Sequence, residues 1–318
     1  MKYKTFGWNG FMFDVPSDMY LSVEGGTARS GYMRLEAERY FLDVKWEGQR
    51  PDKVKPVEEV ILSLIKQLEK DGQGKLTVQG KRPTRVFEHD ALLYNIKSGL
   101  EERMYVWYCE ESLRVVIFRF AFMSLDNAAR AIIRRGLTSL KCHGEEINYW
   151  TVLESSFKAP PSFLLSERKM MVGRTYLLLS EEEIKPFPPA ERRREILFEY
   201  FTMANVRYEE NYKDLDKWME KSYQKGLKKR YGLKFQSSDT KKLNNHEVIT
   251  RKGKGGKGLL TRRSSVYTNA SWYCDDLNTI YSVTLSEHVT KPLPMKRQID
   301  QEAFESFAEE VISSIRCH

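Results

Sequence analysis

Apolar residues at Val57, Val60, Ile61, Leu64, Ile65 and Leu68 keep the i, i+3, i+4, i+7 spacing of an amphipathic helix with one buried face. A second helix of more polar composition is expected over roughly Leu215 to Tyr231, packing less deeply. Two closing helices show the same period, one burying Ile132, Ile133, Leu137 and Leu140, the other Phe304, Phe307, Val311, Ile312 and Ile315. Between the helices the pattern changes to runs rich in aromatic and β-branched residues, which read as strands. The clearest is a hairpin from His89 to Cys109 turning at Ser98-Gly99, with Val115 to Phe122 and Thr279 to Leu285 as later strands.

The same order of elements occurs twice. Each half opens on a strand with Phe-x-x-Pro, Phe13 to Pro16 and Phe157 to Pro160. Extended segments follow, closing on Val44-Lys45-Trp46-Glu47 and on Val206-Arg207-Tyr208-Glu209; then come a helix, more strands and a last helix. This predicts an α+β protein of two tandem repeats, residues 1–145 and 150–318, each an antiparallel sheet with helices packed on it. Two stretches of the second half read as solvated excursions: Glu181 to Arg194, with three prolines and the run Glu191-Arg192-Arg193-Arg194, and a basic loop over 225–263.

The repetition extends to the chemistry. Trp107-Tyr108-Cys109-Glu110 recurs as Trp272-Tyr273-Cys274-Asp275, Leu140-Lys141-Cys142-His143 as Ile315-Arg316-Cys317-His318, and His89-Asp90 as His246-Glu247. All four cysteines and four of the five histidines thus form two matched sets, His89, Cys109, Cys142, His143 and His246, Cys274, Cys317, His318. Two Cys and two His make a closed tetrahedral zinc set. The spacing lacks the short C-x2-4-C knuckle, so the ligands must be assembled by the fold. Counting pairs outward from the hairpin turn places His89 beside Cys109 on the neighbouring strand.

Three arrangements remain open at this level: a structural zinc site in each repeat, disulfides Cys109 to Cys142 and Cys274 to Cys317, or buried thiols without a partner function. The zinc reading meets one geometric obstacle. Neighbouring Cys and His on a regular helix point about 100° apart, so both can ligate one ion only if the last turn unwinds. Acids flank each set, Asp90 and Glu110, Glu247 and Asp275, and could supply a general base to a metal-bound water. A catalytic zinc keeps only three protein ligands, however, and four per half argue for closure. His288, the histidine outside the sets, is expected on the surface before Pro292.

Composition then limits the class. The chain has 318 residues, 41% hydrophobic and 12% aromatic, enough to bury two cores. It contains no run of eighteen apolar residues, and Met1-Lys2-Tyr3-Lys4-Thr5-Phe6 leads directly into strand-like sequence, so the expectation is a cytoplasmic protein without membrane association. The net charge of +8 is unevenly spread. Thirteen Lys/Arg and two acids lie between Lys225 and Arg263, among them Lys228, Lys229, Arg230, Arg251, Lys252, Lys254, Lys257, Arg262 and Arg263. A mobile loop of this composition could follow a phosphate backbone. It is not a P-loop, because Gly258 is followed by Leu259-Leu260 where Lys and Ser or Thr are required.

Phe13-Asp14-Val15-Pro16 entering the first strand pair, Glu88-His89-Asp90-Ala91 opening the central hairpin, and the terminal amphipathic helix together resemble the PsbP-like fold of photosystem extrinsic subunits and of a Ran-binding nuclear-transport factor. The resemblance implies a binding module rather than an enzyme. The expectation is therefore a non-enzymatic binding or scaffold protein with a protein partner and one structural zinc per repeat. The alternatives are a nucleic-acid-associated protein using the basic loop, and a zinc-dependent hydrolase.

Overall fold

In the computed structural model the chain divides into two compact units, Met1–Leu153 and Glu154–His318. The structure describes residues 1–70, 76–143, 146–152, 154–186, 190–208, 213–231, 234–243, 245–257, 261–292 and 299–317.

The first unit runs β1 (Tyr3–Trp8), β2 (Phe11–Pro16), β3 (Tyr20–Gly26), β4 (Ser30–Ala37), β5 (Tyr40–Gly48), α1 (Val57–Lys70), β6 (Thr77–Val86), β7 (His89–Lys97), β8 (Glu101–Cys109), β9 (Arg114–Phe122), α2 (Asn127–Thr138) and β10 (Asn148–Val152). Seven of its strands form one antiparallel sheet in the order β3-β4-β5-β9-β8-β7-β6. Alternation sends Trp46, Trp107, Phe118 and Phe120 to one face, where the β1–β2 hairpin and α2 cover them; Phe13 meets Phe118 edge-on with ring centres 5.1 Å apart. The opposite face carries Tyr94, Ile96, Met104, Val106, Val115 and Ile117 against Ile61 and Ile65 of α1. The expected apolar positions from Val57 to Leu68 all lie on this helix and face the sheet, Ile61 and Ile65 buried and Val57, Val60, Leu64 and Leu68 partly so.

The second unit repeats the plan with β11 (Ser155–Ala159), β12 (Leu164–Met171), β13 (Arg174–Lys185), β14 (Ala190–Thr202), α3 (Ala204–Arg207), α4 (Leu215–Trp218), a π-helical turn Met219–Tyr223, α5 (Gln224–Tyr231), β15 (Lys234–Leu243), β16 (His246–Lys257), β17 (Thr261–Cys274), β18 (Thr279–Pro292) and α6 (Gln301–Ser314). Its sheet has the equivalent order β12-β13-β14-β18-β17-β16-β15. The α+β architecture of two antiparallel sheets with packed helices is thus present in both halves. Asp126 and Asp300 cap the two closing helices alike, accepting from Ala129 N at 2.8 Å and Ala303 N at 3.0 Å.

Four local expectations are corrected. Most of Glu181 to Arg194 is strand rather than solvated loop: β13 reaches Lys185 and β14 begins at Ala190, 187–189 lie outside the described residues, and the charges pair across the ladder, Arg194 with Glu181 and Arg193 with Glu182. Opposite charges facing one another across two strands stabilise the extension that each run alone would disfavour. Val206-Arg207-Tyr208 does not repeat β5; it spans the end of α3 and the residue after it, while Glu209 lies outside the described residues. The segment 215–231 packs deeply, burying Leu215, Trp218, Met219, Tyr223 and Leu227, because its few large side chains converge on one aromatic cluster. His288 is 3% exposed, inside β18, with both ring nitrogens hydrogen-bonded to Ser265 and Ser286.

Candidate metal centre

His89 is the first residue of β7 and Cys109 the last of β8. Their strands pair from Lys97↔Glu101 outward to Ala91↔Trp107, and the same register two residues further sets His89 opposite Cys109. In the second unit Val248↔Trp272 continues in the same way to His246 and Cys274. The other two ligands approach from behind the closing helix. α2 ends at Thr138, and Ser139 takes over: its hydroxyl accepts from Asp14 N at 2.8 Å and donates to Arg135 O. Lys141 then forms a two-way backbone bridge with Met12, 2.7 and 2.8 Å, which delivers Cys142 to the end of the sheet.

The second unit repeats each contact. Ser314 Oγ accepts from Lys158 N at 2.9 Å, and Arg316 bridges Ser156 at 2.8 Å in both directions, delivering Cys317. Cys142 and His143 therefore do not sit on the last helical turn. They follow α2 in a bend after the Lys141 bridge, where successive side chains need not keep a helix's 100° offset, and in the first unit the geometric obstacle disappears.

In the first unit His89, Cys109, Cys142 and His143 converge, their ligand atoms all within 4.8 Å of one another. His89 Nε2 lies 3.0 Å from Cys142 Sγ, His143 Nδ1 lies 3.3 Å from Cys142 Sγ and 3.4 Å from Cys109 Sγ, and the sulfurs are 3.6 Å apart. A tetrahedron built on Zn–S of about 2.3 Å and Zn–N of about 2.05 Å has S···S edges of about 3.8 Å and S···N edges of about 3.5 Å. The observed separations fall close to these edges. They exclude a disulfide in the structure, whose S–S bond needs about 2.05 Å, and all four cysteines are thiols. In the second unit His246, Cys274 and Cys317 form the matching group, and His318 lies outside the described residues.

Burial and hydrogen bonding shape the thiols. The Cys142 thiol donates to Cys109, which lowers the Cys109 pKa and raises that of Cys142, so the pair shares a proton. Burial pushes Cys317 up to about 12. Around the sulfurs stand donors that the sequence reading missed. The Trp107 indole N–H acts on the Cys142 sulfur and the Trp272 indole N–H on that of Cys317, each favouring the thiolate, and neither nitrogen has a conventional hydrogen-bond partner. Ser112 acts likewise on Cys109, and Ser155 on Cys317. Buried donors aimed at sulfur are a metal-thiolate environment. The signal was in the repeated Trp-x-Cys, whose two side chains share one strand face. Phe87, in the left-handed region at φ 54°, rests its ring against His89 and His143 at 6.0 and 5.6 Å between centres and covers the imidazoles.

The remaining sequence candidates fall elsewhere. Asp90, Glu110, Glu247 and Asp275 are exposed and outside both clusters. The basic stretch 225–263 is no loop, because α5, β15, β16 and β17 run through it and β16 pairs on both sides, from Lys254 and Gly253 back to Arg251. Gly253, Gly255 and Gly256 are paired residues of β16. Arg251 is buried and paired with Asp216, Lys252 Nζ contacts Glu305 at 2.6 Å, and Lys229, Lys254 and Arg263 are exposed. The side chains of Lys228, Arg230, Lys257 and Arg262 lie outside the described residues. Among the described residues no helix is long and apolar enough to cross a membrane.

No protein-family model matches the chain, and no curated protein matches it. Among solved structures, cyanobacterial PsbP (CyanoP) from Synechocystis sp. PCC 6803 matches with a TM-score of 0.35 and 12% identity, over 44% of this chain and 92% of that one. The immunity protein TplEi of the T6SS from Pseudomonas aeruginosa matches with a TM-score of 0.31 and 13% identity, over 99% of this chain and 97% of that one. TplEi complexed with "L" peptide gives 0.30 and 12%. The PsbP-like likeness expected from the sequence is therefore a distant one, found over less than half of the chain.

Proposed function

We propose that this protein is a non-enzymatic binding or scaffold module, built from two copies of one fold, each tied together by a structural zinc ion. The observation that carries the reading is the four-ligand convergence at His89, Cys109, Cys142 and His143 at near-tetrahedral edge lengths. The site joins the end of the central hairpin to the segment after the closing helix, two parts of the sequence that neighbour each other only in the folded unit. Zinc there would act as a staple. Four protein donors leave no open coordination position for a substrate or water, and the flanking acids point to no shared site, so hydrolysis is disfavoured. A nucleic-acid role for the basic stretch loses the mobile loop on which it rested, since Arg251 and Lys252 are engaged with carboxylates.

The test is elemental analysis of native protein purified without chelating resin, alongside Cys109→Ser and Cys274→Ser variants. Close to two zinc per chain is expected, with each variant losing one. X-ray absorption should show Zn–S near about 2.3 Å and Zn–N near about 2.0–2.1 Å. Metal-free protein with four reactive thiols and an unchanged melting profile in chelator would overturn the reading.

A further inference from the structure

The two units differ sharply on the sheet face that carries the first helix. The sheet registers make their positions comparable: Asp43, Lys45 and Glu47 of β5 face Arg119, Ile117 and Val115 of β9, as Leu197, Glu199 and Phe201 of β14 face Thr284, Ser282 and Ile280 of β18. In the second unit this space is filled. Phe201 packs on Trp218 and Tyr223 at 5.1 and 5.7 Å, Leu197 joins the same cluster, and Tyr223 donates to Glu199. In the first unit the same space is a cleft of about 930 Å³ between α1 and the sheet. An open cleft is therefore not a necessity of this fold, because its sister copy closes it with side chains.

The cleft is lined asymmetrically. Leu64, Gln67 and Leu68 of α1 form its roof. Its floor is charged but mostly neutralised internally: Arg34 grips Asp43 through two hydrogen bonds of 2.6 and 2.9 Å, and Arg119 is held by Asp43 and by the fully buried Glu102. Lys45 and Glu47 are the exceptions. Both line the cleft, both are half-buried, and neither side chain makes a hydrogen bond or ion pair among the described residues. Half-buried charges without partners cost free energy that a complementary ligand would recover.

Volume and spacing select the ligand class. The cleft lies at the upper end of small-molecule sites, and a single zwitterion such as an amino acid would leave most of it to water. Lys45 and Glu47 stand two residues apart on one strand, roughly 6.6–6.8 Å along it. Alternate side chains of any extended peptide have that same spacing and direction, and the residues between them point the opposite way, here towards Leu64 and Leu68. We propose that the cleft binds a short extended peptide of alternating pattern, presenting one acidic and one basic side chain to Lys45 and Glu47 and apolar side chains to the α1 roof. This site is independent of the metal centres.

The probe is acetyl-Leu-Glu-Leu-Lys-Leu-amide, titrated into the metal-replete full chain by calorimetry, with acetyl-Leu-Glu-Leu-Glu-Leu-amide and acetyl-Leu-Lys-Leu-Lys-Leu-amide as controls. The mixed peptide should bind about tenfold more tightly than either control, since each control replaces one attraction by a repulsion. Lys45→Met and Glu47→Gln should each weaken it about fivefold. Gln67→Trp, at an exposed helix position, should abolish binding by filling the cleft while leaving the melting temperature unchanged. Equal binding of all three peptides, no binding at all, or indifference to Lys45→Met and Glu47→Gln would each overturn the proposal.

Discussion

Replacing Arg119 by Met removes, among the described residues, the one cation hydrogen-bonded to the buried carboxylate of Glu102. Arg119 is 3% exposed and Glu102 fully buried; Arg119 Nε and Nη2 donate to the two Glu102 oxygens at 2.7 and 3.0 Å, and Nη1 reaches Asp43 at 3.2 Å. Asp43 keeps Arg34, but Glu102 keeps only the Ser98 hydroxyl. An orphaned buried charge costs about 3–5 kcal/mol, whereas replacing both partners with apolar groups is near neutral. Arg119→Met should therefore lower the melting temperature of the first unit by roughly 6–20 °C, at about 2–4 °C per kcal/mol for a unit of this size. The double variant Arg119→Met, Glu102→Leu should recover most of that loss.

Urea titrations of the parent, the single variant and the double variant measure these losses directly. If the double variant is as unstable as the single one, the loss comes from packing volume and the electrostatic argument fails.

Ser139→Ala and Ser314→Ala each delete an acceptor for a backbone N–H, Asp14 and Lys158, and should cost about 1 kcal/mol apiece, adding independently in the double variant by denaturant titration because they lie in separate units. Trp107→Phe should leave zinc content intact yet speed its loss to a chromogenic chelator by about 10–100-fold, as loss of a metal site's supporting hydrogen bonds does; an unchanged rate would remove the indole from the site. His288 is held down to about 3 by burial, with Arg263 and Arg193 adding to the effect. The unfolded chain takes up this proton near pH 6.5 and the folded one does not, so stability is complete above that pH and falls by up to about 1.4 kcal/mol per unit as pH drops towards 3. His288→Gln should flatten that slope in urea melts followed between pH 7 and pH 4.

The sequence by itself determined the duplication, the α+β class, the buried face of α1 and the identity of the ligand inventory. Each of these is local or periodic information. Amphipathic spacing specifies a helix face, and a three-residue turn, Ser98-Gly99-Leu100, fixes the register that puts His89 opposite Cys109. Tertiary structure decided the rest. Whether Cys142 and His143 could both reach one ion depended on α2 ending at Thr138 and on the Met12–Lys141 bridge, a contact between residues more than a hundred positions apart. The Glu181 to Arg194 and 225–263 stretches looked like solvated loops because charge and glycine were read one strand at a time. Their partners across the ladder, Glu181 for Arg194 and Asp216 and Glu305 for the basic strand, are supplied only by pairing and packing. The same holds for the cleft beneath α1: Lys45 and Glu47 are ordinary charged residues in sequence, and only the sheet shows that the sister positions Glu199 and Phe201 sit in space that the second unit fills.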